Sequence, residues 1–202
     1  MAIRAWYVLI LSACIGTQIV SMVRPPQKPR TYLKNGRQLY DAIIRYSKGE
    51  KCFGQIKKLA ESKNIDLNFQ RRDAAVLHEF KGITPLILAT RNKNNDVVSL
   101  LIEVGADLNV QDDFGWSALH HAADTENVEA AQMLLAAEIN PYLKTRRGYT
   151  ARDIAVDLSG RIPGYDKGII AVIDEAFVAS IVIKGTDEES SEGQERKKPK
   201  TK

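Results

Sequence analysis

The apolar residues between Thr84 and Ala106 recur at steps of three and four. Leu86, Leu88 and Ala89 share one helical face, and Val97, Leu100, Leu101 and Val104 share another. Two short amphipathic helices in succession are predicted there. The pattern then returns with a fixed period of thirty-three residues. Gly82, Gly115 and Gly148 keep that spacing, as do Thr84, Ser117 and Thr150, and Ala89, Ala122 and Ala155. Leu86 and Leu119 share it, and so do Leu101 and Leu134. Carried along the chain, the pattern predicts helices over 36–47, 53–62, 84–92, 94–103, 117–124, 127–136, 150–157 and 167–179.

Local chemistry agrees with these limits. Thr84 and Ser117 carry hydroxyls able to cap a helix start, and Pro85 falls in the first turn, where a missing donor costs nothing. Gly105 suits a left-handed helix end. No single helix pair can bury its apolar face alone, so stacking of neighbours is required. The spacing departs from regularity twice. Asn68 to Thr84 is eight residues longer than Asn109 to Ser117, which places an insertion within RRDAAVLHEFKG. In the last copy Arg152 stands where Leu86 and Leu119 stand, and an insertion near 160–165 separates its helices. Both changes suit a copy with one face in water.

Three helix openings carry a family likeness: Thr84-Pro85-Leu86-Ile87-Leu88-Ala89, Ser117-Ala118-Leu119-His120-His121-Ala122 and Thr150-Ala151-Arg152-Asp153-Ile154-Ala155. They resemble the T-P-L-H-x-A motif of the ankyrin repeat. The run Val97 to Asn109 resembles the second-helix ending, and a degenerate earlier copy is visible in Gln55 to Ala60, ending at Ile65 to Asn68. The likeness covers roughly 36–178, within a domain set at 36–180. It implies an all-α solenoid of about four stacked helix-turn-helix units. It also implies that the His120 position hydrogen-bonds backbone between repeats. Partner contacts in this family come from the finger turns and the exposed side of each first helix. Transferred here, these are Ile83, Trp116 and Tyr149 after the glycines, and Phe80, Lys81, Asp113, Phe114, Arg146 and Arg147 before them. The first-helix ends add Arg91, Asn92, Asp124 and Thr125. Large aromatics beside arginine are the types that dominate binding hot spots. The competing reading is that Phe114 and Trp116 only hold neighbouring fingers together.

The ends of the chain read differently. Residues 5–23 hold no charge behind Arg4, the pattern of a signal peptide, and Leu11-Ser12-Ala13-Cys14 resembles a bacterial lipobox with Cys14 as the lipidated residue. Nineteen uncharged residues can also just span a bilayer core, so an uncleaved anchor is the rival, with a buried helix behind it. Residues 24–35, with Pro25, Pro26 and Pro29, read as a stiff basic linker. The basic flank favours a cytoplasmic side for an uncleaved anchor. Residues 184–202 read as a disordered charged tail.

Charge sharpens this division. The net +4 and the pI of about 9.0 suggest a polyanion partner for the whole chain. Residues 1–37 hold six basic and no acidic residues, and 184–202 hold six basic and five acidic. The remaining 38–183 keep 17 basic and 20 acidic residues. The repeat domain is therefore mildly acidic, and nucleic acid is not the expected partner.

Candidate chemistry is sparse. His120 and His121 are adjacent, so on a helix they point about 100° apart and cannot pair on a metal. His120 and Asp124 lie four apart and within reach of each other. His78 has no ligand set around it, and Asp153 reads as polar structural. Cys52 reads as a bland thiol. No phosphate loop, nucleophile elbow or zinc-protease motif occurs. The expectation is a monomeric, non-enzymatic module that binds a protein partner and needs no cofactor or metal. It is exported, periplasmic or membrane-anchored through the leader or a lipid. A narrower expectation is an immunity protein that inhibits an exported enzyme, with the inserted loop 70–81 as its wedge. The alternative is a cytoplasm-facing anchored adaptor or a host-directed interaction protein.

Overall fold

A computed structural model describes residues 30–72 and 81–188. They form eight helices: α1 Arg30–Ser47, α2 Phe53–Ala60, α3 Pro85–Arg91, α4 Asn95–Glu103, α5 Ala118–Asp124, α6 Val128–Ala136, α7 Ala151–Arg161 and α8 Gly168–Glu188. There is no strand among the described residues. Each odd-numbered helix packs on the even-numbered one that follows it. The odd helices also pack on one another in sequence, α1 on α3, α3 on α5 and α5 on α7, and the even helices do the same. The result is a two-layer all-α solenoid with one continuous core.

Small residues set the spacing of the layers. Ala89, Ala122 and Ala155 are fully buried, and Leu86, Leu101, Leu119 and Leu134 fill the space between pairs. At the N-terminal end Leu39, Ile43 and Ile56 extend the core, and at the C-terminal end Ile169 and Ile173 close it. Thr84 caps α3 by accepting from the Ile87 N–H at 3.2 Å. Thr150 caps α7 in a reciprocal box with Asp153, whose carboxylate accepts from the Thr150 N–H at 2.8 Å. The caps Thr84, Ser117 and Thr150 therefore stand where the period puts them.

The insertion leaves the register intact. Asp66, Asp107 and Asn140 each accept from the N–H two residues on, at 3.3, 2.9 and 3.0 Å. Asn68 then accepts from Asp107 N–H and Asn109 from Asn140 N–H, tying each copy to the next. Gly82 N–H donates to the Arg71 carbonyl at 3.0 Å, closing the base of the insertion. The inserted residues 73–80 lie outside the described residues, as do His78 and the wedge proposed for that loop.

Several boundaries differ from expectation. α1 begins at Arg30, inside the stretch read as linker, so the proline segment ends sooner than 35. α7 runs to Arg161 and absorbs part of the second insertion. The rest becomes a turn that buries Tyr165, whose hydroxyl donates to the Ala123 carbonyl and whose pKa burial pushes up to about 12. α8 continues to Glu188, past the expected start of the tail at 184. Arg152 serves the last copy by a two-pronged pairing with Asp174 of α8, in place of the buried leucine of earlier copies.

The fingers stack as a ladder. Asp113 N–H donates to the Lys81 carbonyl at 3.1 Å, and one repeat later Arg146 N–H donates to the Phe114 carbonyl at 3.0 Å. Gly82, Gly115 and Gly148 all hold left-handed backbone, with φ of 79, 80 and 87°. A Cβ on Gly82 would meet Asp113 N at 2.8 Å, and one on Gly115 would meet Arg146 N at 2.8 Å, while one on Gly148 meets nothing. Two costs can thus be separated. Gly148→Ala should lose about 1 kcal/mol from the positive φ alone, whereas Gly115→Ala should lose about 3 kcal/mol because it also displaces the next finger. Thermal denaturation of both variants checks this; equal losses would mean the fingers do not depend on that close approach.

Candidate interaction groove beneath the fingers

The finger turn is built by Asp112. One carboxylate oxygen accepts from the Phe114 and Trp116 N–H groups at 2.8 and 2.9 Å, and the other meets His121 Nε2 at 3.0 Å. Burial pushes the Asp112 carboxyl up, but the His121 contact and the two backbone donors outweigh it and hold it below the ordinary carboxylate value. Thr145 does the same work one repeat later, accepting from Tyr149 N–H at 3.2 Å. Trp116 lies over His121 with ring centroids 5.2 Å apart and over His120 at 6.2 Å.

His120 spans two copies. Its Nδ1 sits 2.8 Å from the Ser117 hydroxyl and accepts from the Ser117 N–H at 3.2 Å, and its Nε2 lies 3.2 Å from the Tyr149 carbonyl. That pattern uses one acceptor and one donor, which is a neutral imidazole. The backbone bond between copies is the one the resemblance implied. The pairing with Asp124 does not form; the acid in contact with the histidines is Asp112, and its partner is His121.

Between the fingers and the odd helices lies a groove of about 510 Å³. Phe114, Trp116, Arg146, Arg147 and Tyr149 line its finger wall, and Arg91, Asp124, Asp153, Ile154, Asp157 and Leu158 line its helix wall, with Asp112, His121 and Thr145 at the base. Seven of the proposed contact residues therefore meet in one place: Arg91, Phe114, Trp116, Asp124, Arg146, Arg147 and Tyr149. Five lie elsewhere: Lys81, Ile83, Asn92, Asp113 and Thr125. Ile83 is 0% exposed, so it is a core residue and not a contact. Lys81 is half-buried and lends its carbonyl to the ladder, and Asp113 pairs with Arg72 at 3.4 Å. Phe80 and Cys14 are outside the described residues.

Ile83, Trp116 and Tyr149 occupy one repeat position but differ in exposure, from fully buried through half-buried to 53% exposed. The cause is position in the stack: a following finger covers the first two, and none covers Tyr149 among the described residues. The residues that sequence reasoning passed over could have been found by the same period. Thr145 lies thirty-three past Asp112, Ile154 past His121, Asp157 past Asp124 and Leu158 past Thr125.

The family model for ankyrin repeats, in three copies, matches residues 46–145. Similar proteins include neurogenic locus notch homolog protein 1 of Xenopus laevis, 43% identical over 76 residues, or 38% of this chain and 3% of that protein. Neurogenic locus notch homolog protein 2 of Homo sapiens is 54% identical over 82 residues, 41% of this chain and 3% of its own length. Ankyrin repeat and SAM domain-containing protein 6 of Rattus norvegicus is 33% identical over 108 residues, 53% of this chain and 11% of its own. The matched stretches thus span a small part of each relative.

Burial holds the His120 pKa below its ordinary 6.5, the Tyr149 carbonyl only partly opposing it. The unfolded chain binds a proton there that the folded chain refuses. This contribution is complete above about pH 6.5 and is lost as pH falls through the lower folded value. The midpoint of thermal unfolding should therefore drop between about pH 7 and 5, and His120→Asn should flatten that slope while lowering the neutral-pH baseline by about 1 kcal/mol. An unchanged slope in the variant would remove His120 as the cause.

Proposed function

Residues 46–145 being ankyrin repeats, we propose that this chain is a non-enzymatic interaction protein that holds a partner protein in the groove beneath its fingers. The convergence of Trp116, Tyr149, Phe114 and two exposed arginines on one concave wall carries the reading. Aromatic rings give large contact area at low entropic cost, and arginine adds directed donors. The groove holds Asp112 and His121 in contact, but the carboxylate is spent on the finger turn. It supports the fold of the wall and does not arm a nucleophile.

The finer reading is an exported protein tethered at a membrane, through residues 1–23 or through lipid on Cys14, where it blocks an enzyme as an immunity protein. The uncharged run 5–23 and the Leu11-Ser12-Ala13-Cys14 segment support it. The basic residues Arg24, Lys28, Arg30, Lys34 and Arg37 favour the second reading, a cytoplasm-facing anchored adaptor. No described helix is long and apolar enough to cross a membrane.

Trp116→Ala should weaken partner binding by about 2 kcal/mol or more, roughly thirtyfold, with Tyr149→Ala close behind and both variants folded. Calorimetric titration against the partner, once recovered from the native organism, measures this; unchanged affinity rejects the groove as the contact surface. Mass spectrometry of the protein from its native membrane fraction tests the leader. Loss of residues 1–13 with added lipid mass on Cys14 is expected, and an intact Met1 would reject the cleaved form.

A further inference from the structure

The direction of α8 is fixed by its contacts. Tyr165, just before it, reaches the Ala123 carbonyl at the end of α5 farthest from the fingers. Asp174 then meets Arg152 at the start of α7, and Phe177 meets Tyr142 at the foot of the last finger with ring centroids 4.8 Å apart. α8 therefore runs toward the fingers. Glu188 lies eleven residues past Phe177, roughly 16 Å farther along the helix. The chain that follows is delivered beside the last finger.

That finger is cationic. Residues 140–149 hold Lys144, Arg146 and Arg147 and no acid, and neither arginine is in an ion pair among the described residues. The facing helix wall carries the carboxylates Asp124 and Asp153 beside Arg91, while Asp157 is already paired with Arg161 at 3.0 Å. The sequence after α8 is divided in the complementary sense. Residues 187–195 hold five acids and no base, and residues 196–202 hold five bases and no acid. Fourteen residues beyond Glu188 can extend about 45 Å, several times what the groove requires.

We propose that residues 189–202 of this chain occupy its own groove, with Glu189, Glu192 and Glu195 on the last finger and the basic block on Asp124 and Asp153 of the helix wall. The order of the two blocks matches the two walls, and the length of the tail allows it to reach from the even layer, where α8 ends, to the groove on the odd helices. The tail then competes with any protein partner for the same surface, so the inference rests on that groove being the binding surface. It also specifies what such a partner presents: an extended segment whose acidic part precedes its basic part.

Zero-length carbodiimide cross-linking of the full chain, mapped by mass spectrometry on the monomer fraction, tests this. Lys144 should be joined to Glu189, Glu192 or Glu195, and tail lysines to Asp124 or Asp153. Salt at roughly 0.5 M should suppress both sets, because exposed charges are screened there. The exposed double variant Arg146→Glu/Arg147→Glu should cut the Lys144 links by about fivefold or more. Tail acids joined only to tail lysines, links indifferent to the double variant, or links confined to a dimer fraction would each overturn the proposal. A partner that depends on Trp116 while the tail links elsewhere would sink this inference and leave the groove reading standing. Tail links formed as expected beside a Trp116→Ala variant with unchanged partner affinity would do the reverse.

Discussion

Everything in the stack depends on one close approach. Gly115 holds left-handed backbone, and the Arg146 N–H of the next finger occupies the place a side chain would take. Gly82 stands in the same relation to Asp113. That approach lets one backbone hydrogen bond form between consecutive fingers, and those bonds fix the distance between copies. The fully buried alanines Ala89, Ala122 and Ala155 set a matching distance between the helices. Were either spacing to change, the other would be strained, because cores this dense do not stretch.

A stack with one repeated contact still has two different ends. Among the described residues a following finger covers Ile83 and part of Trp116 but not Tyr149, and Gly148 meets no such neighbour. The last copy answers with polar chemistry. Arg152 meets Asp174 across half-exposed surface, and burial lowers the worth of such a pair less there than it would in the core. The groove follows from the same asymmetry. The repeat position that is core as Ile83 becomes, as Trp116 and Tyr149, part of the groove wall toward the end of the stack.

Polar groups inside the stack are tied to backbone. Asp112 satisfies two finger N–H groups and His121, and His120 bridges Ser117 to the Tyr149 carbonyl of the next copy. Burial holds the pKa of this histidine strut below its ordinary value, which links the bond between copies to pH. The same bonds hold Trp116 and Tyr149 at the angle that shapes the groove, so fold and surface share their supports.

The thirty-three-residue period determined the architecture without help from coordinates. Periodic glycines, caps and leucines report local backbone and core needs, and these act over a few residues at a time. Most helix limits came out within a few residues, and seven of the proposed contact residues meet in one groove. Tertiary structure decided the rest. Ile83 carries the same local pattern as Trp116 and Tyr149, yet it is core, because exposure depends on which copies lie on either side. Asp112 reaches His121 because the finger folds back over α5, a contact nine residues apart that helical spacing does not contain. The direction of α8 relative to the fingers likewise came only from Asp174 and Phe177 finding their partners. A repeat specifies its own unit by short-range rules, whereas position within the stack is a property of the assembled chain.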